Sequence, residues 1–187
     1  MGSTLDKGTF LIANPSLQDS NFVKTVILIC EHNKNGAFGL ILNRASSIDI
    51  SQIFPESADI KDIEKKIFFG GPVDTSKLFC LHGVHDNKSH DCESICNGVY
   101  LGSNQDCLED LLSNDNDDDS FRLYLGCACW SEGQLDNELD INAWIVGPAN
   151  AELVFYPNPD KIWWYVSQFI DGFNSESSIV PSVPILN

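Results

Sequence analysis

Nucleophilic catalysis needs a nucleophile, a base and a group that orients the base. In this 187-residue sequence Cys30, His32 and Asp19 are the residues that could supply them at one end of a predicted hairpin. Cys30 and His32 stand two apart in an extended run and so share a face. Cys30, however, continues the apolar run Val26-Ile27-Leu28-Ile29, where a thiol is inert core, and His32 reads equally as a histidine holding a turn. No Gly-x-Ser-x-Gly elbow, phosphate-binding glycine loop or His-Glu-x-x-His helix occurs. The sequence therefore assigns no catalytic residue. A hydrolase-like enzyme using His32 with a nearby carboxylate is the alternative reading.

Metal chemistry has two candidates. Cys80, His82, His85, His90, Cys92 and Cys96 offer six soft or borderline ligands, as zinc prefers. No Cys-x2-Cys pair occurs among them, and the stretch reads as a His-rich surface loop. Asp115, Asp117 and Asp119 alternate like the first ligands of an EF-hand. Ser120 then replaces the turn glycine and Gly126 the bidentate glutamate, so this run reads as a solvated acidic loop. No metal and no cofactor are expected. Gly70-Gly71-Pro72-Val73 could turn amides toward an anion, but Pro72 lacks a donor, which favours close backbone packing. Cys127 and Cys129 put two thiols on one strand face and read as core.

The charge balance restricts partners further. Eleven Lys and Arg stand against 27 Asp and Glu, a formal charge of −16, which repels nucleic-acid phosphates and anionic lipid headgroups. The Lys61, Lys65 and Lys66 cluster is interleaved with Asp62 and Glu64. Direct nucleic-acid binding and membrane association are not expected. The N-terminus lacks signal-peptide features, no apolar run approaches the roughly 18 residues that span a bilayer, and the seven cysteines are an odd number. These features predict a cytoplasmic, reducing setting, with Cys30, Cys80, Cys107 and Cys127 as small core residues.

The elements that position these groups begin with a β-hairpin over Thr25 to Arg44, turning at Asn35-Gly36. A strand at Thr9 to Ala13 precedes it and stops at Asn14-Pro15, after which a loop carries Asp19 and Asn21. Ile48 to Phe54 has the spacing of a short helix, and Ile67 to Phe69, Leu78 to His82 and Val99 to Leu101 read as strands. Between the last two, 83–97 reads as an irregular excursion. A helix capped by Ser103 is predicted through Leu112, and a strand from Phe121 to Cys129. Ser131 and Gln134 then have capping-box spacing, opening a helix with Leu135 and Leu139 inward and Asp136, Asn137, Glu138 and Asp140 outward. Strands at Ala143 to Val146 and Glu152 to Phe155 follow. Asn158-Pro159-Asp160 starts a last helix to about Asp171, with Ile162, Trp163, Val166, Phe169 and Ile170 as its buried stripe. The expected organisation is an arm over 1–7, one domain over 8–172 and a tail over 173–187. Its fold class is α/β of the α+β type, a single compact domain with a mixed, largely antiparallel sheet and flanking helices.

Several segments in order resemble the YqgE/AlgH family of mostly bacterial proteins. They are Gly8 to Pro15, Asp19 to Phe22, Thr25-Val26, His32, Asn35-Gly36-Ala37 with Gly39, Leu42-Asn43-Arg44, Gly70 to Val73, Leu125-Gly126 through Trp130, Gly133-Gln134-Leu135 and Glu138. The resemblance implies one compact cytoplasmic α/β domain with no agreed activity, in a family described as transcriptional regulators. Ala45 departs from it, standing where the family usually has proline. The resulting expectation is an uncharacterised, non-enzymatic regulatory or interaction domain. It would bind an unknown protein or small ligand around Asn14, Asp19, His32, Asn43, Arg44, Gly70 and Gly71.

Overall fold

The computed structural model describes residues 5–54, 66–83, 92–102, 107–108 and 121–168. Ten strands lie among them: β1 Thr9–Ala13, β2 Val26–Asn33, β3 Gly36–Ile41, β4 Ala45–Asp49, β5 Lys66–Phe69, β6 Val73–His82, β7 Glu93–Cys96, β8 Val99–Gly102, β9 Phe121–Ser131 and β10 Trp144–Pro148. The helices are short: α1 Ile50–Ile53, α2 Gln134–Asp140, α3 Ala151–Val154 and α4 Ile162–Ser167, the last preceded by a 3₁₀ turn at Pro159–Lys161. The strand order is β10-β1-β2-β3-β9-β6-β8-β7, with β5 paired to β9 and β4 to β5. Only β5 and β9 run parallel among the described pairings. The fold is thus the expected single, strand-rich α+β domain with a mixed, largely antiparallel sheet.

β9 is the spine. Its first part pairs with β6 and β5, and its last residues, Ala128 to Ser131, pair with β3. Gly126, at φ +69, bends the strand where it changes partner. Two backbones cross there at distances that leave no room for side chains. A Cβ on Gly70 would lie 2.3 Å from the Gly126 carbonyl oxygen, and one on Gly71 would lie 2.1 Å from the carbonyl carbon of Cys127.

The sheet curls into a half-barrel. Trp130 on β9 and Trp144 on β10 sit four strands apart in the order, roughly 19 Å in a flat sheet. Their ring centroids are nevertheless 6.1 Å apart. Curling separates two cores. The larger holds Phe10, Leu11, Val26 to Cys30, Leu40 to Leu42, Tyr124, Trp130, Trp144 and Trp163. The smaller holds Ile50, Ile67, Cys80, Cys107, Leu108, Phe121, Leu123 and Leu125. Both faces of the first half of β2 are buried, which explains its unbroken apolar run.

Several local expectations change. Asn33 pairs with Gly36, so the hairpin loop is Lys34-Asn35, one residue earlier than the sequence suggests. The Asn33 side chain accepts the Asn35 amide at 2.8 Å and shapes the turn. Gly36 is required for another reason: a Cβ there would stand 2.1 Å from the Trp130 carbonyl oxygen. The segment before α1 is strand β4, and Asp49 with Gln52 forms a capping box on that single helical turn. Part of the 83–97 excursion is strand β7, paired to β8. Glu152 to Phe155 is not a strand. Asn150 caps it as helix α3 by accepting the Leu153 amide at 2.9 Å, and Leu153 and Val154 bury its inner face. Helix α2 is preceded by left-handed Gly133 rather than capped by Ser131, although the Ser131 amide does donate to the Gln134 side chain. The arm is not wholly polar at its end, since Leu5 is buried. The acidic run 114–119, His85, His90, most of the helix predicted to follow Ser103 and the tail lie outside the described residues.

Candidate functional site

Four of the seven sequence-predicted site residues gather at one loop, residues 14–24, where β1 hands the chain to β2. Asn14 ends β1, and its side-chain oxygen accepts the Ser16 amide at 3.0 Å and the Ser16 hydroxyl at 2.7 Å. The Asp19 carboxylate accepts the Asn21 amide at 2.8 Å, and its backbone carbonyl accepts the amides of Phe22 and Val23. Lys24 adopts left-handed geometry at φ +56. Asn43 holds it there: its amide group donates to the Lys24 carbonyl at 2.8 Å while its oxygen accepts the Val26 amide at 2.9 Å. Arg44 reaches the same loop, donating to the carbonyls of Val23 at 3.0 Å and Ser20 at 3.3 Å. The buried Thr25 hydroxyl closes the turn on the Phe22 carbonyl at 2.7 Å.

Beneath the loop lies an aromatic floor. Phe22 stacks on Trp130 at 6.4 Å and meets the edge of Trp144 at 5.7 Å. The indole N–H groups of Trp130 and Trp144 both donate to one oxygen of Glu138, at 2.9 and 2.7 Å. Its other oxygen accepts from Gln134 at 3.0 Å. Glu138 therefore faces the two indoles, against the expectation that it faces water or a partner. The sequence signal was available, because Glu138 is three residues after Leu135 and adjacent to Leu139 and so shares their helix face. On the same side Trp163 donates to the Ala13 carbonyl at 2.8 Å, and the Lys24 ammonium lies 5.8 Å from the Trp163 ring centroid. Arg122 is a further residue the sequence reading missed. It is buried and donates to the carbonyls of Val154, at 2.9 Å, and Tyr156, securing the end of α3.

The other three predicted residues lie elsewhere. His32 is at the turn end of β2, roughly 20 Å along the strand from Val26. Its Nδ1 meets the Leu5 carbonyl at 2.5 Å and so ties down the start of the chain. Gly70 and Gly71 belong to the backbone crossing with Gly126. The hydrolase geometry is consequently not assembled. Asp19 and Arg44 sit at the loop, His32 at the far end, and Cys30 is fully buried with its thiol on the Leu28 carbonyl at 3.6 Å. Burial pushes the Cys30 thiol pKa far up, leaving it poorly nucleophilic. The depression nearest the turn end, about 250 Å³, is lined by Glu31, Asn33, Asn35, Phe38 and Trp130 but not by His32. Cys127 lies 3.5 Å from Cys129, and burial, then the hydrogen bond to Cys129, pushes its pKa up to about 12.

A sequence profile described as AlgH-like matches residues 10–172, from β1 past the end of α4. The chain belongs to the AlgH-like family. A protein named UPF0301 of Chlamydia pneumoniae is 33% identical over 183 residues, covering 98% of this chain and 96% of the relative. One of Cytophaga hutchinsonii is 35% identical over 184 residues, covering 98% of this chain and all of the relative. The solution structure of the AlgH protein from Pseudomonas aeruginosa superposes with a TM-score of 0.72 at 27% identity, covering 96% of this chain and 99% of that one. A crystal structure from Corynebacterium diphtheriae gives a TM-score of 0.72 at 25% identity, over 89% of this chain and 87% of that one. The chain therefore shares its overall fold with these solved AlgH-like relatives. Among the described residues, no helix is long and apolar enough to cross a membrane.

Proposed function

We propose that this AlgH-like chain is a non-enzymatic regulatory or interaction domain that offers the 14–24 loop to a protein partner or small ligand. The observation that carries the reading is the contrast between the two sides of this loop. Its inner side is fastened by Asn14, Asn43, Arg44 and the Phe22 wedge, whereas Asp19, Ser20, Asn21, Val23 and Lys24 are exposed. A loop already fixed in one conformation loses little entropy when it binds, and left-handed geometry at a lysine is the kind of strain that functional surfaces retain. In this reading Asn14, Asn43 and Arg44 position the surface and Asp19 is displayed on it, while His32, Gly70 and Gly71 serve the fold.

A regulatory role in transcription, which the family resemblance implies, runs in this reading through a protein rather than through DNA, because a charge of −16 opposes phosphate. A cytoplasmic, reducing setting fits the buried thiols. The test is site-specific photocrosslinking in the native cell from a probe at Asn21, with a probe at exposed Thr75 as control. A discrete adduct at position 21 that disappears on Arg44→Ala supports the loop. Equal adducts at both positions, or none at position 21, would overturn it. Salt-sensitive DNA retardation by the purified chain would favour direct regulation instead, and esterase activity lost on His32→Ala would favour the hydrolase.

A further inference from the structure

The curl of the sheet leaves the end of β6 beside β8 and the smaller core, far from the 14–24 loop in the strand order. Three side chains from separate stretches converge there. His82 is the last residue of β6, 2% exposed, paired to Tyr100 on β8 and Phe121 on β9. Its ring stacks on Tyr100 at 5.6 Å, which fixes its plane. Cys92 is half-buried just before β7, and Cys107 is 1% exposed beside Leu108. The two sulfurs are 3.2 Å apart, Cys107 Sγ is 4.0 Å from His82 Nε2, and the three ligand atoms all lie within 4.8 Å of one another. We propose that His82, Cys92 and Cys107 form a binding site for a soft divalent cation, Zn²⁺.

Chemistry and space agree on this set. Two thiolates and an imidazole are donors that zinc takes in preference to hard cations. Bonds of about 2.3 Å to sulfur and about 2.0 Å to nitrogen at tetrahedral angles put two sulfurs roughly 3.8 Å apart and sulfur and nitrogen roughly 3.5 Å apart. The sulfur pair, at 3.2 Å, and the Cys107–His82 pair, at 4.0 Å, depart from these values by about half an ångström in opposite directions, and His82 to Cys92 is at most 4.8 Å, so the ion enters with small side-chain shifts. A disulfide would instead require the sulfurs to close to about 2.05 Å. Gly102 on β8 makes the room: a Cβ there would lie 2.4 Å from Cys107 Sγ and 3.7 Å from Cys92 Sγ, so the sulfur pair fills the space of the missing side chain. The half-buried Cys92 marks the side from which an ion enters. A tetrahedral ion keeps one position for water or a further donor.

Of the six ligands that the sequence concentrates between positions 80 and 96, the described site uses His82 and Cys92. It adds Cys107, which the linear spacing never suggested. Cys80 and Cys96 lie outside this set of three.

The experiment uses the full, tag-free chain purified under reducing conditions. Elemental analysis is expected to find about one zinc per chain, and Co²⁺ in its place is expected to give sulfur-to-metal charge-transfer bands and the visible bands of tetrahedral cobalt. Cys92→Ser should weaken Co²⁺ binding by more than about 100-fold, beyond what changes outside the ligand shell give, whereas Cys96→Ser should bind as wild type does. Three results would overturn the site: no cobalt bands in the reduced wild-type protein, a Cys92–Cys107 disulfide trapped by alkylation from cells, or Cys92→Ser binding cobalt as tightly as wild type. The wild-type spectrum decides the matter even if the variant fails to fold.

Discussion

The two ends of the curled sheet use their polar side chains in opposite ways. Around the 14–24 loop, the inward polar groups meet backbone groups and indoles: Asn43 spans Lys24 and Val26, Arg44 holds Val23, and Glu138 joins Trp130 to Trp144. In the smaller core, sulfur meets sulfur and imidazole. The first pattern satisfies hydrogen bonds that curling and looping would otherwise leave open, so it is explained by folding. The second converges three soft donors from separate stretches on one point, the geometry a bound cation uses. A polar residue in a fold of this kind is informative about function only after its structural duty has been subtracted.

That contrast can be broken or sharpened by substitution. The largest effect is expected at the seam joining the two ends. Gly71→Ala drives a Cβ into the Cys127 backbone at 2.1 Å. It should cost more than about 4 kcal/mol and abolish a cooperative thermal transition by circular dichroism, and a soluble variant with wild-type melting would refute the crossing. Next comes Glu138→Ala, which strips the acceptor from two indole donors. A loss of about 2–4 kcal/mol in urea titration is expected, falling to about 1 kcal/mol for Glu138→Gln, which keeps an acceptor oxygen. The cobalt spectrum of the folded fraction should not change in either variant, which keeps the two ends separable.

A smaller effect is expected for Asn43→Ala, which removes two hydrogen bonds at the loop's exit. Its cost should be about 1–2 kcal/mol, with faster amide exchange confined to the loop and the first residues of β2. Smallest is the alkaline limb of stability. Burial raises the pKa of Cys127 to about 12, so the folded state holds this proton longer than the unfolded chain does. The stabilisation it gives is complete below about pH 9 and is lost as pH rises from there toward 12, about 1 kcal/mol by pH 10. Cys127→Ala should make that limb shallower, the buried Cys30 thiol supplying the slope that remains, and an unchanged slope would mean that the Cys127 thiol is not protected.

Strand content, the hairpin and the specific spacing of the AlgH-like segments were legible because each is written in local pattern: apolar runs, Asn14-Pro15, Gly70-Gly71. Local chemistry misled where a tertiary partner decided the outcome. Gly36 looked like a turn residue, yet it is glycine because the Trp130 carbonyl passes 2.1 Å from its would-be Cβ. Glu152 to Phe155 has strand-like composition, but the Asn150 cap and the burial of Leu153 and Val154 make it helix. Of the seven residues expected to share a surface, Asn14, Asp19, Asn43 and Arg44 meet at the 14–24 loop, because the strands that flank it run side by side. His32 ends the apolar run of β2 at its turn end, so the same strand that carries Val26 to the loop carries His32 away from it. Cys107 could not be found from the sequence, since fourteen residues separate it from Cys92 and only the β7–β8 hairpin brings them together.

The division of labour between the two ends is tested most directly by hydrogen-exchange mass spectrometry of the wild-type chain, loaded with zinc and then treated with a chelator under reducing conditions. The account predicts that chelation speeds exchange at 78–82 and 92–102 and leaves 14–27 as protected as before. Unchanged exchange at 78–82 and 92–102, or a loss of protection centred on the 14–24 loop, would contradict it.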